Sequence, residues 1–286
     1  MKARFGPAGN GDAFYAAGCK STVQAPAWLS QWGLTAYEYQ CGRGVRISEE
    51  SAQLLGAEAK KYDVRLSLHA PYFISLASDD PQKRENSIRY ILESARAVSQ
   101  MGGSRIVVHP GGLGGLSRSE ATALASQTLL RAQAALDAEG LSNVSICPET
   151  MGKINQLGDL DEVLQFCRLD ERMLPCIDFG HLNSRTQGGL NSKEAFAALL
   201  DRLHNELGEE RGANFHAHFS KIEYTKGGEK RHLTFEDTVF GPDPAPLMAL
   251  ICERALTPTF ICESDGTQAE DARTLMLLYG DDGNEQ

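Results

Sequence analysis

The stretch VRLSLHAPYF, residues 64–73, decides how the chain is read: a short apolar run ends on a histidine and breaks at once into a turn. The same construction recurs as RIVVHPGG at residues 105–112, VSICPET at 144–150, PCIDFGH at 175–181, FHAHFSK at 215–221 and TFICESD at 259–265. Short apolar runs bounded by turn residues mark strands buried on both faces of a parallel sheet. With Ala3 to Pro7 and Thr35 to Gln40, they give eight strand candidates. Between them lie amphipathic, plausibly capped stretches: Ser48 to Tyr62, Pro81 to Met101, Ser119 to Glu139, Asp159 to Arg168, Ser192 to Leu207, Pro244 to Ala255 and Thr267 to Tyr279. Strand then helix, about eight times in 286 residues, predicts an α/β chain folded as a single (β/α)8 TIM barrel over residues 1–286, with a flexible tail from about 280 to 286.

In such a barrel all strand ends open onto one rim. His69, His109, Glu149, Asp178, His216 and Glu263 therefore converge there, six ligand-type side chains from six successive strands. Imidazole and carboxylate donors suit zinc, manganese or iron, and a carboxylate can bridge two ions. Alternation within the seventh strand puts His216, His218 and Ser220 on one face, so one histidine can bind metal while the other contacts substrate. His204, inside the helical pattern DRLHNEL, reads as a surface residue.

Composition narrows the partners. Lys plus Arg number 28 against 38 Asp plus Glu, a formal charge of -10, which disfavours holding nucleic acid by blanket electrostatic attraction. Local patches and bound cations can still reverse the sign near a cleft. The segment KIEYTKGGEKRHLTFED, residues 221–237, gathers Lys221, Lys226, Lys230 and Arg231 around His232 and is expected to be a loop; with Arg43, Arg46, Lys153 and Arg185 on other rim loops it can hold a phosphate backbone. The seven cysteines are an odd number without CxxC spacing, as in a reducing cytosol. No secretion signal or membrane-length apolar run is visible, so the expectation is a cytoplasmic protein, without membrane contact and monomeric.

These segments, from LSLHAPYFISLAS through RIVVHPGG, CPETMGK, IDFGHLNS and HAHFSK to ICESDGTQAEDA, resemble the endonuclease IV family of apurinic/apyrimidinic endonucleases, within the xylose-isomerase-like superfamily. The resemblance implies a metal-dependent hydrolase of DNA repair with two or three zinc ions, cutting DNA 5′ to abasic sites. It places Glu149 as a bridging ligand, His69 and His109 on a first ion, Asp178, His216 and Glu263 on a second, and His181 and His232 on a third. Glu149 and Glu263 become the residues closest to the chemistry. Tyr72 and Phe73 fall where the family wedges side chains into the duplex beside a flipped-out lesion, and His218, Lys221, Lys230 and Arg231 join them as substrate contacts. The family's DTCH reads Asp178-Phe179-Gly180-His181, and its HxNDxK reads His216-Ala217-His218-Phe219-Ser220-Lys221. Where the family has an aspartate two residues before the last histidine, this chain has Lys230. Either Glu229 swings in, or Lys230 takes over the phosphate-binding role of the third ion, or that site stays empty.

Two other functions remain open. A sugar isomerase or epimerase of the same superfamily needs one divalent ion on a Glu, Asp, His, Glu quartet, which Glu149, Asp178, His216 and Glu263 match; His69, His109 and His232 are then surplus. A barrel that binds nucleic acid or metabolite without turnover is the third, and clustered carboxylates that repel one another without a cation argue against it.

Overall fold

The structure, a computed structural model, describes residues 2–281. Strand β1 (Arg4–Pro7) leads through helices α1 (Asp12–Ala16) and α2 (Ala25–Gln31) to β2 (Ala36–Gln40), α3 (Glu49–Lys61), β3 (Arg65–His69), α4 (Pro81–Gln100) and β4 (Arg105–Val108). Then follow α5 (Arg118–Ala138), β5 (Ser145–Pro148), α6 (Leu160–Cys167), β6 (Cys176–Asp178), α7 (Phe179–Arg185), α8 (Lys193–Leu207), α9 (Glu209–Ala213) and β7 (His216–Phe219). A hairpin, β8 (Lys221–Thr225) and β9 (Gly228–Leu233), precedes α10 (Pro244–Glu253), β10 (Thr259–Cys262) and α11 (Gln268–Asp281). The eight expected strands are all present, each boundary within one residue of its expected place. Helix α11 runs through Asp281, and the remainder of the expected tail lies outside the described residues.

The strands pair in parallel in two four-stranded sets, β1-β10-β7-β6 and β2-β3-β4-β5. Parallel bridges between Ala8 and Glu38 and between Glu149 and Cys176 join the sets at both seams, which makes a ring. Its outward faces carry the apolar residues, among them Phe5, Leu66, Leu68, Ile106, Val108, Ile146, Ile177, Ala217, Phe219 and Phe260, all buried under the helices. Phe5 and Phe260, on adjacent strands, stack with ring centroids 5.6 Å apart. Ser48, Asp80, Ser117, Asp159, Ser192 and Asp243 cap the helices that cover this core, each accepting a backbone N–H of the first turn.

The lumen is different. At its closed end Arg65 donates to Thr259 across the ring at 2.8 Å, and Arg105 reaches the Asn214 carbonyl at 2.9 Å. One step up, Glu38 is in register with Ser67, and Cys176 with His216; a small apolar cluster of Val107, Cys147 and Cys176 fills the same level. Above these, Gln40 pairs with His69 and Asp178 with His218, at the open end where the strands terminate. Polar side chains thus occupy both ends of the ring's interior with a small apolar cluster between them, and the main apolar core surrounds the ring.

The closure has one tight point. A Cβ at Gly6 on β1 would lie 1.7 Å from the Ala36 carbonyl oxygen on β2, at a seam between the two sets. Gly6→Ala must push the strands apart, and is expected to lower stability by on the order of 3 kcal/mol. A urea unfolding midpoint unchanged from wild type would contradict this close approach. No helix among the described residues is long and apolar enough to cross a membrane.

Candidate metal centre

The open end gathers side chains from seven strands and one connecting helix. Glu149, fully buried just past β5, sits in the middle. Its Oε2 lies 3.3 Å from His69 Nε2 and 3.0 Å from His109 Nε2; its Oε1 lies 3.2 Å from His218 Nδ1 and 3.3 Å from His181 Nδ1. Three groups of metal-type donors follow, each with ligand atoms within 4.8 Å of one another: His69, His109 and Glu149; Glu149, Asp178, His218 and Glu263; and His181, Glu229 and His232. Glu149 belongs to the first two, as a bridging carboxylate would.

The imidazoles are oriented from behind. His69 Nδ1 donates to the Ala70 carbonyl at 2.9 Å, which leaves Nε2 free toward Glu149. His181 Nδ1 likewise donates to the Thr150 carbonyl at 2.9 Å, so its Nε2 faces Glu229, 3.4 Å away. His232 Nδ1 pairs with the Ser220 hydroxyl at 2.8 Å. Tying off one ring nitrogen so that the other is presented as a lone pair is how proteins prepare histidines for metals. Asp178 behaves similarly. It caps α7 with one oxygen, which accepts from the His181 backbone N–H at 2.7 Å, while its buried Oδ2 has no hydrogen-bond partner. The close approach of α7 to the hairpin requires Gly180, because a Cβ there would meet the Ser220 carbonyl oxygen at 2.4 Å.

The electrostatics carry the same mark. Burial pushes the Asp178 carboxyl up to about 6; His181 opposes the rise, and neighbouring Glu263 and Glu149 add to it. Burial would raise Glu149 also, but the imidazoles of His109 and His218, with hydrogen bonds from His109 and His181, hold it well below the usual range. Glu263 falls to about 2, its burial outweighed by His218. Desolvation is likewise overcome at His218, by facing Glu263, Glu38 and Glu149, and at His181, by Asp178, Glu149 and Glu229, so both imidazoles are held well above their ordinary range. Three carboxylates, Glu149, Asp178 and Glu263, thus share one largely buried space in which nearby positive charge is favourable. Divalent cations would supply it, and the donor set fits them.

Two expected placements change. His218, level with Asp178, joins the second group, whereas His216 pairs with Cys176 one layer deeper and bonds Glu38 Oε2 at 2.9 Å. Residues two apart on a strand are separated by about 6.6 Å along it, so only the later histidine reaches the mouth. Burial lowers the His216 imidazole to about 4, and it stays neutral. Cys176, His216 and His218 also cluster, one layer below the mouth, where burial pushes the Cys176 thiol well above its usual range.

The second change concerns the segment expected to be a loop, which is the β8–β9 hairpin. Its pairing sets Glu223 opposite Arg231 and Tyr224 opposite Glu229, so Lys230 is an extra, unpaired residue. In a regular strand Glu229 and His232, three apart, would face opposite ways. The bulge absorbs one residue and returns both to the same side, beside His181. Lys230 instead reaches Glu223 at 2.5 Å, and Arg231 reaches the same carboxylate at 2.7 Å. Lys221 anchors the following loop by donating to the Phe235 and Asp237 carbonyls, and Arg185 is similarly taken up by carbonyls of Met151, Lys153 and Gln156. Of the expected substrate contacts, Tyr72 and Phe73 are both more than half exposed at the rim, at 57% and 54%. Tyr72 lies against His69 and His109, with ring centroids 5.4 Å away in each case. His204 is exposed on α8 and belongs to none of the donor groups. Glu38 was not anticipated at all.

A cavity of about 560 Å³ opens over the groups, lined by Gln40, His69, Tyr72, His109, Lys153, His181, Glu229, His232 and Glu263 among others. A family profile described as a xylose isomerase-like TIM barrel matches residues 26–277. The chain belongs to this family. Within the xylose isomerase-like family, one relative is an uncharacterized protein of Methanocaldococcus jannaschii, 35% identical over 255 residues, covering 88% of this chain and 90% of that one. A probable endonuclease 4 of Thermoplasma acidophilum is 24% identical over 225 residues, 76% of each chain. Among solved structures, a D-tagatose 3-epimerase-like protein superposes with a TM-score of 0.74 at 19% identity, covering 99% of this chain and 98% of that one. Endonuclease IV from Thermus thermophilus superposes at 0.67 and 16% identity, covering 99% and 100%. A D-tagatose 3-epimerase-like protein and an endonuclease IV thus share this fold.

Proposed function

We propose that the protein is a metal-dependent phosphodiester hydrolase of the endonuclease IV type, cleaving DNA 5′ to abasic sites during repair in the cytoplasm. The observation that supports this most is the third donor group, His181, Glu229 and His232, standing beside two groups that share Glu149. One ion on the Glu149, Asp178, His218 and Glu263 quartet is enough for proton transfer beside a sugar carbonyl; the added histidines serve a site that must grip a phosphoryl group from several sides. Zinc, manganese or iron held there would supply Lewis acidity toward a phosphodiester and neutralise charge developing on its oxygens.

The chain's own residues have separable tasks. His69, His109, His181, His218 and His232 present donors, and Glu149 with Asp178 and Glu263 balances the cations. Tyr72 and Phe73, exposed on the loop after β3, would press into a duplex and fill the gap left by a flipped-out nucleotide, exchanging stacking lost in the DNA for new contacts. The hairpin carries Lys226 exposed at its turn, and Lys230 and Arg231 outnumber Glu223, the one carboxylate they both pair with, so it would offer net positive charge to an approaching backbone.

The quartet also supports a divalent-metal sugar isomerase or epimerase, and ion count separates the two readings. Protein analysed for bound metal should carry two or three ions per chain and should cut an oligonucleotide bearing one abasic site, leaving a 3′ hydroxyl, with the cut abolished by a chelator. A single ion per chain, with no cleavage, would overturn the nuclease reading in favour of the sugar enzyme.

A further inference from the structure

Glu38 is a carboxylate in the middle of a barrel strand, fully buried, with no place in the ligand groups. A charge there is costly unless it is paired. Its Oε2 accepts from the Ser67 hydroxyl at 2.8 Å and from His216 Nε2 at 2.9 Å. Its Oε1 accepts from Gln40 at 3.3 Å and lies 3.0 Å from His218 Nε2, a close charge contact that is off the hydrogen-bond line and leaves that nitrogen without a formal acceptor. The opposite nitrogen of the same ring, Nδ1, faces Glu149 and Glu263 at 3.2 and 3.4 Å. The His218 ring therefore stands between one carboxylate beneath it and two above.

We propose that Glu38 is a positioning residue for the quartet ion, holding His218 from below so that Nδ1 is the nitrogen presented to metal. The rear partners of His69, His181 and His232 are neutral, two carbonyls and a hydroxyl. His218 alone among these four meets an anion there. A carboxylate behind a ligating imidazole fixes the ring plane, keeps the proton on the far nitrogen and makes the near one more basic; losing such a partner typically weakens metal binding by about 10-fold to 100-fold. His216 and Ser67 then have a shared purpose, as the props that keep the buried carboxylate in place.

The inference rests on the metal-centre part of the proposed function, but only on the quartet, which the nuclease and sugar-enzyme readings have in common. Glu38→Gln, Glu38→Asp and Ser67→Ala are compared with wild type by chelator competition monitored through metal content, by the visible spectrum of the cobalt-substituted protein, and by thermal melting with and without metal. Glu38→Gln is expected to lose one ion about 10-fold to 100-fold more readily than wild type and to shift the cobalt spectrum. Glu38→Asp should recover part of the loss, and Ser67→Ala should show a smaller one. A Glu38→Gln protein that melts lower by the same amount in both states, with every ion held as in wild type, would reduce Glu38 to a packing role and overturn the inference. If Glu38→Gln does not fold, Ser67→Ala decides on the same criteria. Wild type holding one ion that Glu38→Gln releases would keep the inference and discard the nuclease reading; wild type holding none would end both.

Discussion

Glu149→Gln should leave a folded barrel that no longer retains its ions and cleaves abasic DNA more slowly by on the order of 1000-fold. The carboxylate touches His69, His109, His181 and His218 and belongs to two of the three donor groups, so an amide there leaves one oxygen donor where each group needs its own, and removes the anion around which four imidazoles are arranged. An amide offers one oxygen acceptor and a pair of N–H donors in place of two acceptors. The fold should survive, because Glu149 faces the lumen and the apolar core lies outside the ring. Metal content, kcat on a single-lesion oligonucleotide, and far-UV circular dichroism measure the three parts. Retention of two ions with more than a tenth of wild-type turnover would show that Glu149 is not the bridge.

The second large effect separates neighbours in the hairpin. Glu229→Ala should strip the ion associated with His181 and His232, leave the quartet loaded, and reduce cleavage by about 100-fold. Lys230→Ala should leave metal content unchanged, since Lys230 is the extra residue of the bulge and its ammonium is paired with Glu223. Counting back two residues from His232, as the resemblance to the endonuclease IV family implies, lands on the lysine; the bulge brings the carboxylate one position earlier beside His232 instead. If Lys230→Ala lost the ion and Glu229→Ala kept it, this register of the hairpin would be wrong.

The contrast shows what can be read from a string of residues and what cannot. Parallel strands buried on both faces are written as continuous apolar runs, so RIVVH and TFICE announce themselves, and the acid or imidazole at each end locates the rim. Face is legible too: alternation puts His216 and His218 on the same side. Depth is not. Which of them reaches the mouth depends on register with Cys176 and Asp178 across the ring, a non-local quantity. Glu229 stood as one of three alternatives, and the bulge that brings it beside His181 and His232 is specified by no residue type in KGGEKRH. Glu38 was hidden more thoroughly. AYEYQ alternates Ala36, Glu38 and Gln40 against Tyr37 and Tyr39, which reads as a strand with one polar face turned to water. In this barrel that face is the lumen. The short helix α7 escaped for another reason: seven residues beginning at a ligand look like the loop that a metal site ordinarily needs.

Because most of the greasy packing lies in the annulus between strands and helices while the metal-type donors line the mouth of the bore, folding and chemistry draw on largely separate sets of side chains. Substitutions in the bore can retune which ions are kept, or which ester or sugar is accepted, while the annulus goes on specifying the same shape. An ancestral bore could therefore be rewritten residue by residue without passing through an unfolded intermediate, which gives a physical reason for one scaffold to house both nucleases and epimerases.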